Sequence, residues 1–148
     1  MIIDKRTEFA DAAALNTGAA GSYRIGNVID LEKTGLDLGA GEPLYLVISV
    51  DSAASSSGSA TAAFTLASDA QPAIATDGTA TVHVKTDAIP VAQLTAGKRI
   101  ITVALPGGAY ERYLGILQTT GTAAFTGGAI DAFLTPDPSG WKAYPDAI

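Results

Sequence analysis

Cysteine is absent from the chain, and there is one histidine, His83. The first absence excludes disulfides, thiolate metal sites, cysteine proteases and thioredoxin-like chemistry. A lone imidazole cannot form a histidine cluster around a metal. Charge is scarce as well. Asp, Glu, Lys and Arg make up 16% of the residues, below the usual quarter. The nine Lys and Arg are scattered, the net charge is −6, and the isoelectric point is near 4.5. Gripping a phosphate backbone needs clustered cations, and anionic lipid repels an acidic surface, so neither nucleic acid nor membrane is expected as a partner. Long apolar runs are missing. The longest, Leu44 to Val50, is too short to cross a bilayer as a helix. Asp4, Lys5, Arg6 and Glu8 occupy the place where a secretion signal would need apolar side chains. A soluble protein made without such a signal is expected.

What is present is small. Alanine supplies 28 of the 148 residues, threonine and glycine 16 each, and serine 9. Small side chains suit thin, tightly stacked sheets, and a bland surface is often one that is covered in use. The length fits one domain that buries roughly two thirds of its extended-chain surface, enough for a core without staples.

The body of the chain reads in steps of two. Leu44, Leu46, Ile48 and Val50 alternate with Tyr45, Val47 and Ser49; both sets are mostly apolar, which predicts a central strand covered on both faces. Ala60, Ala62, Phe64 and Leu66 alternate with Thr61, Ala63 and Thr65. Ala80, Val82 and Val84 alternate with Thr81, His83 and Lys85, which predicts a strand with an apolar inner row and His83 on the wet row. Further rows run through Ile101, Val103 and Leu105, through Tyr113, Gly115 and Leu117, and through Ile130, Ala132 and Leu134. Glycine-bearing turns such as Thr76-Asp77-Gly78, Thr95-Ala96-Gly97 and Pro106-Gly107-Gly108 separate them. About eight short strands at regular spacing predict an all-β antiparallel β-sandwich, and from spacing alone a jelly roll and an immunoglobulin-like sandwich fit equally. The chain divides into residues 1–15, an arm or short helix behind a Thr7 cap; residues 16–134, the sandwich; and residues 135–148, a tail with Pro136, Pro138 and Pro145.

Catalytic equipment is not recognisable. His83 is expected on a solvent-facing row, without the neighbouring nucleophile that a triad needs. No nucleophile elbow or phosphate loop occurs; Gly39-Ala40-Gly41 precedes a strand, where a dinucleotide fingerprint needs a helix. Asp51, Asp69, Asp77, Asp87, Asp131 and Asp137 are spread singly, as solvated turn and cap residues are, rather than paired as in a glycosidase. No cofactor and no metal site are expected. Binding or structural work is favoured over an enzyme. Trp141 and Tyr144 in the tail either lie in a partner's pocket or fold back over one end of the sandwich.

Several segments carry a resemblance. Met1 to Ala12, Asn27-Val28-Ile29-Asp30-Leu31, Pro106-Gly107-Gly108 running into Glu111-Arg112-Tyr113-Leu114-Gly115-Ile116, Gly121-Thr122-Ala123 and Ala129 to Leu134 together resemble the Bbp16-type capsid cement proteins of tailed bacteriophages, over nearly the whole length. These are strand and turn patterns, not a site, and the Trp141 tail departs from the family pattern. The resemblance implies a jelly-roll protein, synthesised in the host cytoplasm, that sits on the outer surface of the capsid in the virion and holds major capsid protein subunits together. It implies many copies and self-association, with a dimer favoured over a trimer. The termini and a flat sheet face are the expected contacts, through Ile2, Ile3, Phe9, Trp141 and Tyr144. On that reading residues 1–12 could be deleted without unfolding the domain. The alternative is a carbohydrate- or receptor-binding β-sandwich of a phage tail or fibre, which would need exposed aromatics around a shallow groove.

Overall fold

Two-residue alternation puts one apolar row on each strand, and each row needs a second sheet to cover it. The computed structural model describes residues 5–35, 37–38 and 41–138. Among them a short 3-10 turn, Lys5–Thr7, leads into nine strands: β1 (Glu8–Ala14), β2 (Gly21–Asp30), β3 (Tyr45–Ser55), β4 (Thr61–Asp69), β5 (Thr81–Lys85), β6 (Ile89–Pro90), β7 (Arg99–Ala104), β8 (Tyr113–Gly121) and β9 (Gly127–Thr135). One sheet has the order β1-β9-β3-β7; the other has β2-β8-β4-β5, with β6 also pairing β4.

This order is that of a jelly roll. The chain folds as a long antiparallel ribbon in which β1 meets β9, β2 meets β8, β3 meets β7 and β4 meets β5. Rolling the ribbon then brings β9 beside β3 and β8 beside β4. The rolled ribbon encloses Leu46, Ile48 and Val50 from β3, Phe64 and Leu66 from β4, Leu114 and Ile116 from β8, and Ile130, Ala132 and Leu134 from β9. As expected for a central strand, β3 is buried on both faces: Leu46, Val47 and Ile48 expose 1% or less. At the end of the core Gln118 is fully buried. Its amide oxygen accepts the Asn16 N–H at 2.9 Å, and its nitrogen donates to the Asn16 carbonyl at 3.1 Å and to Thr120 Oγ1 at 2.8 Å. One polar side chain thus straps the β1–β2 connection to β8 at no desolvation cost.

Three expectations need correction. Residues 8–14 are neither helix nor free arm but an edge strand, and Phe9 has no exposed surface. Its ring fills the core between the sheets, where burying an aromatic outweighs the helix propensity of the alanines. The pairs Glu8↔Phe133, Ala10↔Ala132 and Ala13↔Ile130 show two extra residues on β1. These bulges break the alternation that would have revealed the strand. Second, β5 carries its own bulge. Leu66 pairs with Val84 and Ala67 with Val82, so His83 is the extra residue. A one-residue slip exchanges faces: Val82, expected inside, is 56% exposed, and His83 turns partly inward. Third, the wet face of the second sheet is partly covered. The stretch after β4 folds back so that Ile74 and Ala80 pack on Ala67 and Leu117. Gly115 allows this approach, since a Cβ there would stand 2.5 Å from the end of Ile74.

Candidate functional site

The one imidazole is tied into a junction of three segments. Ser68 at the end of β4 accepts the backbone N–H of Glu111 at 3.1 Å, and its oxygen lies 2.7 Å from His83 Nε2. Donating the hydroxyl hydrogen to Nε2 completes the bonding of that oxygen and uses the neutral ring. The ring stacks on Tyr110, with centroids 3.9 Å apart and planes inclined by 19°. The Tyr110 hydroxyl donates to the Pro106 carbonyl at 2.7 Å, and Thr81 donates to Glu111 Oε1 at 2.5 Å. Burial lowers the His83 pKa, and the nearby Glu111 charge only partly opposes it. The sequence placed His83 outside and so missed this junction. A serine and a histidine do meet here, but Ser68 has no exposed surface, so its oxygen is closed to an incoming substrate. The pair fastens the loop before β8 to β4 and β5.

The carboxylates serve the fold. Arg112 donates to both oxygens of Asp30, at 2.8 and 2.9 Å, and lies over the Tyr113 ring. With the Glu32 N–H also bonded, this pulls the Asp30 pKa down to about 2. Asp69 accepts the N–H groups of Gln71 and Ala75, and Asp77 those of Thr79, as turn residues do. Asp131 differs from the expectation of a solvated turn. It sits in β9 and accepts the Ala12 N–H at 2.7 Å, where a bulge has set φ of Ala12 to 49°. Partial burial raises its pKa, and the nearby Asp51, Asp11 and Glu8 add to the rise. Among the described residues no group of three or more His, Asp or Glu side chains is placed to hold a metal ion.

Shallow depressions among the described residues include two of note. One, of about 630 Å³, runs along the β1–β2 corner between Lys5, Arg6, Glu8, Arg24, Asn27 and Asp30. Its charges are of both signs, and Glu8 takes up Lys5 at 3.2 Å. The other, of about 430 Å³, crosses the second sheet with a floor of Thr61, Ala63 and Thr119 and a rim of Lys85, Thr86 and Asp87. In the second, the Thr86 hydroxyl accepts the Phe64 N–H and donates to the Asp87 carbonyl.

The Bbp16 family model matches residues 9–134, from the second residue of β1 to the penultimate residue of β9. The chain belongs to the Bbp16 family. No curated protein matches the sequence. The Bbp16 match takes in every strand of the sandwich and leaves residues 1–8 and 135–148 outside. Of the expected contact residues, only Phe9 falls within the matched stretch, and its burial removes it from the surface. Ile2, Ile3, Trp141 and Tyr144 lie outside the described residues. The described surface is made of sheet faces, edges and loops. No run of alternating residues could have flagged these, because they combine strands distant in sequence.

Proposed function

We propose that this Bbp16 protein is a structural component of a phage virion. It binds the outer surface of the capsid, bridges major capsid protein subunits and associates with itself, and it works by contact without turning over a substrate. The observation that carries the reading is the family match across the whole sandwich, in a domain where the serine that meets the one histidine has no exposed surface. Physical considerations support it. Packed DNA presses outward on a shell held by non-covalent joints. A brace against that pressure needs a stiff body and several modest contacts, which reinforce each other once linked. A four-stranded and a five-stranded sheet closed over one core provide the stiff body. The low surface charge removes the desolvation cost of broad contacts.

The test is the number of copies per purified virion by mass analysis. A number comparable with that of the major capsid protein supports a shell component. A handful of copies would assign the protein to the tail or fibre, where carbohydrate or receptor binding becomes the better reading. That second reading has less support: among the described tyrosines Tyr110 is buried, and Tyr23, Tyr45 and Tyr113 are each partly covered and stand apart.

A further inference from the structure

The sandwich has four edges: β1 and β7 on one sheet, β2 and β5 with β6 on the other. An unpaired edge is a template for another chain, and proteins usually blunt it with bulges, charge or proline. Three of these edges are blunted. β1 has two register shifts, and Asp131 holds its Ala12 N–H. β2 advances four positions, from Ile25 to Ile29, while β8 advances two, from Ile116 to Leu114, and Gly26 there lies close against the Phe9 carbonyl. β5 is bulged at His83, and β6 is two residues long and ends in Pro90. β7 is different. Ile101 to Ala104 keep unbroken register with Ile48 to Tyr45, and the one shift falls at the Arg99 end. Residues 100–104 are Ile-Ile-Thr-Val-Ala, without charge or proline. Among the described residues no strand pairs with their outer side.

We propose that two copies of this chain join through β7, antiparallel about a two-fold axis beside Thr102, so that two four-stranded sheets become one of eight. This supplies the surface for the self-association in the proposed function and rests on that part of it, not on capsid binding. The strand is complementary to itself in this arrangement. Thr102 faces Thr102 and Ile101 faces Val103, pairs of the β-branched kind that stabilise cross-strand contacts, and Ile100 faces the small Ala104. The charges agree as well. Lys98 precedes the strand and Arg99 opens it, and in the loop that follows it the Gly108 N–H donates to Asp37 at 3.0 Å. Antiparallel pairing about Thr102 carries the basic start of each strand to the acidic finish of the other. Parallel pairing would stack the two basic starts together. In a two-fold contact each such feature counts twice.

The experiment is sedimentation equilibrium of the full chain and of two variants, Thr102→Lys and Thr102→Glu, each checked for an unchanged thermal midpoint. Thr102 is exposed, so either side chain fits the monomer. The parent should dimerise. Each variant alone should dimerise roughly five- to ten-fold more weakly, because like charges meet at the axis. An equal mixture should recover the parent affinity, because only a two-fold contact through residue 102 sets the Lys against the Glu. Undiminished dimerisation of both variants overturns the β7 interface while leaving self-association standing. A parent that stays monomeric at all concentrations overturns both, and neither result bears on copy number in the virion.

Discussion

His83 is the residue whose placement depends most on a local accident. The bulge in β5 turns it from the wet row toward Tyr110 and Ser68. Its pKa then lies below the ordinary 6.5, so the folded state binds its proton less readily than the unfolded chain. The stability contributed by the neutral ring is complete above about pH 6.5 and is lost as the pH falls through the folded value. The charges facing the ring belong to Glu111, which favours protonation and narrows the window. Asp30, held at about 2, gives up its contribution only in stronger acid. Asp131 has the opposite sign: its raised pKa means protonation favours the fold. Between pH 7.5 and 5.5 the thermal midpoint should therefore fall, and in His83→Gln it should stay nearly flat from a lower start, because the stack on Tyr110 is gone. Thermal melts across that range decide it. An equal slope in the variant would remove His83 as the cause.

At the level of elements, β1 matters more than its composition suggests. A truncation that removes residues 1–12 takes Phe9 and most of the strand with it, so it should unfold the domain rather than merely detach an arm. Phe9→Ala isolates the effect. The ring is fully buried, and emptying such a site costs about 3–5 kcal/mol. Urea unfolding should show a lower midpoint with an unchanged slope, and a change below 1 kcal/mol would mean that β1 is dispensable. The sequence disclosed strands in proportion to their regularity. β3, β4, β8 and β9 run long stretches in clean register; the apolar rows of β3, β4 and β9 were legible, whereas on β8 the row read through Tyr113, Gly115 and Leu117 is the outer one, and Leu114 and Ile116 face the core. β1 and β2 each hold two extra residues, which cancels the two-step pattern; in β5 the bulge exchanges Val82 and His83, while Val84 packs against the core as expected. The contacts of Asp131 with Ala12, and of Ser68 with His83 and Glu111, lie 119, 15 and 43 residues apart in sequence. No local pattern announces them.

At the level of the whole molecule the nested pairing dictates how the chain assembles. Only β4 and β5 are close in sequence among the rungs of the ribbon; β1 and β9 join Glu8 to Phe133. Closing loops of that length before their contacts are gained is slow, so refolding from urea should take milliseconds to seconds, as in other non-local all-β domains. Stopped-flow fluorescence of the tyrosines reads the rate, and complete refolding within microseconds would contradict the topology.

The same rung, Glu8 against Phe133, has a mechanical side. It sets the first paired residue of β1 beside one near the finish of β9, so both ends of the sandwich leave from one corner. Tension applied through those two ends would open the sheet like a zipper, one bond after another. A sideways load across the sheets would strain many bonds at once. If this domain reinforces a pressurised container, the load must enter through its broad flanks and rims, and its terminal segments can guide or tether but cannot bear the strain.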